Sequence, residues 1–96
     1  MMNNDDKRYI VLVIYDITDN KRGTELVHCI EKYGLRVQLS AFECFLGVGQ
    51  YQKLMKESSV IINEKQDSLR IYFLGDHTKV RTWGKAMEEV AEVIIY

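Results

Sequence analysis

The sequence predicts a single α+β domain in which strands and helices alternate along the chain. Residues 9–15, 35–46 and 68–74 have the continuously apolar or alternating character of β-strands, and two segments between them carry apolar residues at helical spacing. The length of 96 residues and the hydrophobic fraction of 47% fit one small globular domain, 1–96. The order β-α-β(β)-α-β is that of a ferredoxin-like fold, an antiparallel sheet with both helices on one face.

The first strand, residues 9–15, follows a polar N-terminal tail, residues 1–8. It reads YIVLVIY, and this continuous β-branched and aromatic run predicts a central strand that is buried on both faces. The run ends at Asp16, where turn-forming residues begin. A carboxylate is therefore expected at the point where a central strand leaves the sheet.

A helix is predicted after the turn that begins at Asp16. Asp19 or Asn20 can serve as its N-cap, because Asp and Asn side chains accept hydrogen bonds from the first free backbone N–H groups of a helix. Its apolar residues recur at helical spacing and form one stripe, namely Leu26, Val27, Ile30 and Tyr33. Gly34 follows the stripe and is predicted to end the helix as a left-handed cap.

The segment 35–46 changes its alternation halfway. Its apolar residues fall first on odd and then on even positions: Val37, Leu39 and Ala41, then Phe42, Cys44 and Leu46. A bulge or break near residues 40–42 explains this shift, so that the segment forms either one kinked strand or two short ones. A helix over about residues 50–62 and a strand over 68–74 complete the alternation of elements.

The C-terminal segment, residues 75–96, contains a candidate short strand at 79–83 and ends in the apolar run 93–96, which reads VIIY. An apolar terminal strand requires a sheet edge with which to pair. A chain of this length also buries only about 60 to 70% of its unfolded surface, so a second copy would add apolar burial. We therefore predict a homodimer in which this segment packs on the sheet of the partner subunit.

Charge and composition exclude several classes of protein. With 13 Lys and Arg against 14 Asp and Glu, the net charge is −1, so that nucleic acid, if bound, must contact a local patch. The apolar run at 9–15 is far shorter than the roughly 20 residues of a membrane span, and we predict a cytoplasmic protein without membrane contact. Cys29 and Cys44 lack the spacing of a zinc site or a disulfide framework and are expected to be reduced and buried.

Asp16 is the residue with the clearest potential for chemistry. Ends of central strands favour binding sites, because the sheet fixes a side chain whose other side is open to solvent. The alternative is that Asp16 only begins the turn, as Asp residues often do. One carboxylate is a weak Mg²⁺ site, but two copies facing each other across a twofold axis would supply the pair of carboxylates that Mg²⁺ commonly uses. Such a bound ion could activate water for hydrolysis of a phosphodiester.

Basic residues that follow the first strand could bind phosphate groups near Asp16. If the turn after the first strand adjoins the start of the second, Lys21, Arg22 and Arg36 flank Asp16. If it does not, these cations form a solvated surface. Phe42, at the break in the second strand, could stack on a nucleobase, with the core and a dimer interface as alternatives.

Several segments taken together resemble one known family. YIVLVIYDITDNKR is followed in order by YGLRVQLSAFEC, a second helix and DSLRIYFL, and this set is similar to the CRISPR-associated endoribonucleases of the Cas2 family. The resemblance spans residues 9–74 and, more loosely, 93–96. It implies a ferredoxin-like homodimer in which the C-terminal strand packs against the partner's sheet, with Mg²⁺ bound between the two copies of Asp16.

The resemblance also assigns roles to individual residues. The family's tyrosine–aspartate pair corresponds to Tyr15 and Asp16, which become the candidate catalytic residues, with Asp16 as the metal ligand. Two positions depart from the family's pattern: Phe73 stands where many members carry proline, and Gly23 where a second basic residue is common. The candidate nucleic-acid-binding residues are Lys21 and those matching the family's basic and break positions: Arg22, Arg36, Ser40 and Phe42.

The activity that the resemblance implies is Mg²⁺-dependent endonuclease cleavage of single-stranded RNA or duplex DNA. Members of the family are also described as a non-cleaving bridge between integrase dimers during spacer capture, which implies a CRISPR integrase subunit as a partner. A non-catalytic DNA-binding adaptor is therefore an alternative. From the fold alone, a toxin-type ribonuclease or a ligand-binding regulatory domain of similar size fits as well, because this architecture hosts many activities.

Overall fold

The computed structural model describes residues 7–84. Within them the elements follow in the order β1 (Tyr9–Asp16), α1 (Asn20–Glu31), β2 (Gly34–Gln38), β3 (Ala41–Leu46), α2 (Val48–Ser59) and β4 (Ser68–Gly75). These strands form one sheet in the order β2-β3-β1-β4, and each neighbouring pair is antiparallel. This is the ferredoxin-like α+β arrangement that the sequence predicts.

Strand β1 lies in the middle of the sheet, between β3 and β4. Val11, Val13 and Tyr15 are buried in the core on the face that the helices cover. The residues between them point to the opposite face, where no element of the described chain packs, and Ile14 is exposed there. The central position is confirmed, but burial on both faces is wrong for the single chain, because both helices lie on one side of the sheet.

The helices bury their apolar residues against one face of the sheet. The stripe of α1 and one leucine of α2 enter the core, through Leu26, Val27, Ile30 and Leu54. Helix α2 ends at Ser59, earlier than predicted, and Ile61 and Ile62 pack against the core from the segment that follows. Each helix has 12 residues, and in the described part of the chain neither is long and apolar enough to cross a membrane.

The break within residues 35–46 is a hairpin turn between two strands. β2 and β3 pair with each other, with Arg36 opposite Phe42 and Gln38 opposite Ala41 and an irregular register between these pairs. The chain therefore reverses at Leu39 and Ser40, and the two-strand alternative is correct. The shift of apolar residues from odd to even positions follows, because the chain direction changes at the turn.

The structure describes the residues of one of the two strands predicted in the C-terminal segment. Residues 79–83 adopt no strand in the single chain, so the short strand expected there is wrong. After β4 ends at Gly75, where φ is +95°, the chain bends at Asp76 and His77 and leaves the sheet. The terminal run 93–96, predicted to pair with a partner subunit, lies outside the described residues, as does the beginning of the N-terminal tail.

The ends of α1 confirm one predicted cap and correct the other. Asp19 is the N-cap, and its side chain accepts a hydrogen bond from the backbone N–H of Arg22. The C-cap of the helix is Lys32, which has ordinary right-handed backbone geometry, and Gly34 has no positive φ. Glycine is required at position 34 for close approach to β3, because an added Cβ would lie 2.5 Å from the Cys44 sulfur and against a backbone oxygen of β3.

Cys29 and Cys44 form no disulfide and are buried, as predicted. Burial raises the pKa of the Cys44 thiol to about 11, with a smaller contribution from the neighbouring Glu43 carboxylate. Burial likewise raises the pKa of Cys29. Both thiols are therefore protonated at neutral pH and serve as small apolar side chains of the core.

We predict that Gly34→Ala lowers the free energy of unfolding by about 1–3 kcal/mol, because the added methyl group overpacks against β3. The matched control is Gly49→Ala in α2, where an added Cβ meets nothing within 4 Å. The control should leave the free energy unchanged or raise it by up to about 1 kcal/mol. Urea denaturation followed by circular dichroism measures both, and wild-type stability for Gly34→Ala would contradict the close approach.

Candidate functional site

Three segments meet where β1 ends. The backbone N–H of Tyr15 donates to the carbonyl oxygen of Ser40 at 3.1 Å, which brings the β2–β3 turn against the end of β1. On the other side, Asp16 is paired with Ser68, the first residue of β4. The exposed Asp16 side chain therefore stands between the β2–β3 turn and the start of β4, on the face of the sheet that the helices leave open.

Tyr15 lies beneath this end of the strand and is fixed by Arg36. The Tyr15 hydroxyl donates to the carbonyl oxygen of Leu39 at 3.1 Å and accepts from Nη2 of Arg36 at 3.0 Å. Nε and Nη2 of Arg36 also donate to the Leu39 carbonyl, at 3.1 and 2.8 Å. The guanidinium thus ties the β2–β3 turn to the last residues of β1.

The environment of Tyr15 keeps its phenol neutral. Burial raises the pKa of Tyr15 above its ordinary value, although the hydrogen bond and the positive charge of Arg36 oppose the shift. A neutral, hydrogen-bonded phenol on the covered face of the sheet is suited to holding the strand end in place. It is poorly suited to accepting a proton from water near Asp16, which lies on the opposite face.

Phe42 belongs to the core. Its side chain is 0% exposed, its ring centroid lies 6.2 Å from that of Tyr15, and Cζ of Arg36 lies 5.7 Å from the ring centroid. A nucleobase cannot stack on a buried ring, so the stacking role predicted for Phe42 is wrong for this structure. Of the alternatives given by the sequence, the position in the core is the correct one.

Arg22 forms an ion pair that the sequence does not reveal. Its Nε lies 2.8 Å from Oδ2 of Asp67 and its Nη2 3.1 Å from Oδ1 of the same carboxylate, while Nη2 also donates to the side chain of Gln66. This bidentate contact uses Nε and Nη2, and the same edge of a guanidinium commonly binds a phosphate group. In the structure Arg22 therefore has an intramolecular role, in which it ties α1 to the residues before β4, and its phosphate contact stays a prediction.

Asp67 is the residue that the sequence analysis missed. It lies in DSLRIY directly before β4, and neither its flanking turn residues nor its spacing indicates burial. The hydrogen bond from Arg22, followed by those from the backbone N–H groups of Asn63 and Thr18, holds the pKa of Asp67 well below its usual range, although desolvation opposes the shift. It is a structural carboxylate, ionised at neutral pH, at the same end of the sheet as Asp16.

The remaining predicted residues lie at this end of the molecule. Lys21 is exposed in the first turn of α1, and Ser40 is half-buried in the β2–β3 turn. Among residues 7–84 no three His, Cys, Asp or Glu side chains cluster in a way that could hold a metal ion. Within one described chain, Asp16 is therefore a single exposed carboxylate rather than part of a complete metal site.

The fold and the site define a class of protein, a small ferredoxin-like domain with an exposed aspartate at the end of its central strand and a tyrosine–arginine pair beneath it. The chain belongs to the CRISPR-associated protein Cas2 family, whose sequence model matches residues 9–82. The resemblance stated from the sequence motifs is thereby confirmed.

Individual members of the family match most of the chain. It is 38% identical over 79 residues to the CRISPR-associated endoribonuclease Cas2 3 of Synechocystis sp., covering 80% of this chain and 86% of that protein. It is 40% identical over 77 residues to the CRISPR-associated endonuclease Cas2 of Halalkalibacterium halodurans, covering 75% of this chain and 80% of that protein.

Solved structures agree with this assignment. The crystal structure of Streptococcus pyogenes Cas2 at pH 6.5 superposes with a TM-score of 0.67 at 35% identity, covering 78% of this chain and 99% of that one. A hypothetical protein from Thermus thermophilus superposes with a TM-score of 0.74 at 34% identity, covering 82% and 94%. Both similarities extend over nearly the whole of the other chain.

We predict that Tyr15→Phe lowers the free energy of unfolding at pH 7 by about 1 kcal/mol, because it removes the hydroxyl that links Leu39 and Arg36. The difference from wild type should shrink above pH 10. There the unfolded wild-type chain loses its phenolic proton near the ordinary pKa of about 10, whereas the raised pKa keeps the folded phenol protonated, so wild-type stability falls as pH rises.

The control for Tyr15→Phe is Tyr72→Phe, whose exposed hydroxyl accepts a long hydrogen bond of 3.3 Å from Arg70. It should change the free energy of unfolding by less than about 0.5 kcal/mol. Guanidinium denaturation at a series of pH values measures both variants. Equal losses for the two variants, or a pH-independent difference for Tyr15→Phe, would contradict the role assigned to Tyr15.

Proposed function

We propose that this protein is a Mg²⁺-dependent endonuclease of CRISPR adaptation that hydrolyses phosphodiester bonds in single-stranded RNA or duplex DNA as a homodimer. The relatives named above as an endoribonuclease and an endonuclease support nuclease activity. The observation that carries the assignment of the site is the exposed Asp16 carboxylate, which a hydrogen-bonded frame supports at the end of the central strand.

The open face of the sheet supports the homodimer. The exposed apolar side chains on this face come from all four strands and include Leu35, which is 78% exposed, and Phe45, which is 64% exposed, together with Ile14, Tyr72 and Leu74. An apolar surface of this kind is typical of a protein–protein interface. A second copy packed face to face would cover it, as in other layered sheets.

Asp16 points to the same open face, at its edge. Face-to-face packing around a twofold axis would bring the two copies of Asp16 to one interface, and the pair of carboxylates would have the oxygen chemistry that Mg²⁺ requires. When bound, the ion would supply an activated water and polarise the phosphodiester. Within each chain, Tyr15 and Arg36 hold the strand end that carries Asp16.

Nucleic acid is proposed to contact the end of the sheet around Asp16. Lys21 is exposed there, and Ser40 lies in the turn that is hydrogen-bonded to the end of β1. Both are suited to phosphate oxygens, as an ammonium and a hydroxyl donor. Arg36 contributes by positioning the turn, and Arg22 by holding the start of α1.

A non-catalytic adaptor is the second candidate function. In this form the protein would bind duplex DNA and a CRISPR integrase subunit without cleaving, and the C-terminal segment 75–96 would contact partner chains. The observation that favours it is the neutral, buried Tyr15, which leaves Asp16 without a tyrosine base beside it.

We predict that Asp16→Ala folds as wild type and loses cleavage by a factor on the order of 100 or more, because the carboxylate that would hold the ion is removed. The matched control is Asp19→Asn, which removes one negative charge from the same end of the molecule and keeps an equally good helix cap. The control should cleave at the wild-type rate.

Cleavage of labelled RNA and duplex DNA is measured for both variants alongside circular dichroism. Equal rates for Asp16→Ala and wild type after rigorous purification would contradict the nuclease mechanism. An Asp16→Ala protein that lacks cleavage and still supports spacer acquisition in cells would favour the adaptor over the enzyme.

We predict that Phe45→Lys weakens the dimer at least about thirtyfold, which is the effect of losing an interface residue worth about 2 kcal/mol. The control is Val60→Lys, because Val60 is 79% exposed, follows α2 and lies away from the open face. Sedimentation equilibrium measures both. Wild-type chains that stay single at every concentration, or a dimer unaffected by Phe45→Lys, would contradict the proposed interface.

A further inference from the structure

A buried carboxylate fastens three chain segments together close to Asp16. The Asp67 side chain is 0% exposed. It accepts hydrogen bonds from the backbone N–H of Thr18 at 3.2 Å, from the backbone N–H of Asn63 at 2.8 Å and from the guanidinium of Arg22 at 2.8 and 3.1 Å. We call this group the Asp67 clamp; it consists of Thr18, Arg22, Asn63 and Asp67.

The clamp holds the segment that follows Asp16 and the start of the strand that pairs with Asp16. Thr18 lies two residues after Asp16, so its contacts with Asp67 fix the path by which the chain leaves β1. Ser68, which pairs with Asp16 across the sheet, is the residue directly after Asp67. The clamp and the β1–β4 pairing together leave the backbone of Asp16 little freedom to move.

The chemistry of the clamp suits orientation. The hydrogen bonds to Asp67 outweigh the desolvation of its carboxylate, because they hold its pKa well below the usual range. The planar fork of a guanidinium on a carboxylate has one preferred geometry and therefore fixes the directions of both side chains. Such a contact next to a functional side chain supports that side chain in the way that outer residues support metal ligands.

We propose that Asp67 is a positioning residue for Asp16, acting through Thr18 and the start of α1 to hold the carboxylate in the orientation that metal binding requires. This inference rests on the proposed function in taking Asp16 as the metal ligand. Asp67 itself contacts neither metal nor nucleic acid, since its oxygens are occupied inside the protein.

The test compares Asp67→Asn with a matched control in the same protein. Glu57→Gln is the control, because the Glu57 carboxylate also joins two elements, accepting from Lys32 at 3.0 Å and from the Tyr33 hydroxyl at 2.8 Å, where α1 ends. Two quantities are measured for the dimer. They are the backbone NMR order parameters of residues 16–18 without metal and the affinity for Mg²⁺ by isothermal titration calorimetry.

For Asp67→Asn, the order parameters of residues 16–18 should fall from about 0.85 toward 0.6, and the Mg²⁺ dissociation constant should rise about tenfold. Glu57→Gln should leave both at wild-type values, although both variants lower the melting temperature. A folded Asp67→Asn protein with wild-type order parameters and wild-type Mg²⁺ affinity would overturn the proposal, because the carboxylate would then be structural alone.

A milder variant keeps the proposal testable if Asp67→Asn does not fold. Arg22→Lys retains the positive charge and replaces the bidentate contact by a single donor. It should lower the order parameters of residues 16–18 and raise the Mg²⁺ dissociation constant about threefold. Unchanged values for Arg22→Lys would then overturn the proposal. Wild-type protein that binds no Mg²⁺ would contradict the proposed function instead, while the metal-free order parameters would still test the clamp.

Discussion

The alternation of side chains along β1 is the constraint on which the candidate site depends. Successive residues of a strand point to opposite faces, so Tyr15 enters the core and Asp16 reaches the open face. The Tyr15 hydroxyl then meets Arg36 and the carbonyl of Leu39. A slip of one residue in the register of β1 would bury the carboxylate and expose the phenol, and an unpaired buried carboxylate is strongly unfavourable.

Two arginines near this strand end, Arg22 and Arg36, contact groups of the protein itself. Arg22 is held by a buried carboxylate, and Arg36 by a carbonyl and a phenol, so both guanidinium groups orient protein segments. A guanidinium is suited to this task because its donors lie in one plane with fixed directions. The positive charges of Arg22 and Arg36 therefore support a rigid frame around Asp16. Of the three basic residues predicted to flank Asp16, Lys21 is the one whose side chain is exposed.

One-sided packing also explains the open face. Two helices of 12 residues cover one side of the sheet, and the alternate residues of β1 on the other side have no cover within the described chain. The apolar run of β1 predicts burial on both faces, but in the single chain the helices cover only one face of this strand. The proposed homodimer would account for this difference, since a second sheet would cover the side that the helices leave open.

Short-range patterns predicted most of the elements and their order, but left open whether residues 35–46 form one strand or two. The apolar run of β1, the cap at Asp19 and the alternation of β4 depend on neighbouring residues, and together they predict the ferredoxin-like fold and the exposed carboxylate. Tertiary structure decided what depends on distant partners. Arg22 and Asp67 are separated by 45 positions, Gly34 is required by the approach of β3, and Phe42 is buried by helices that its own segment does not contain. No local pattern carries such contacts, because they exist only after the strands and helices have packed.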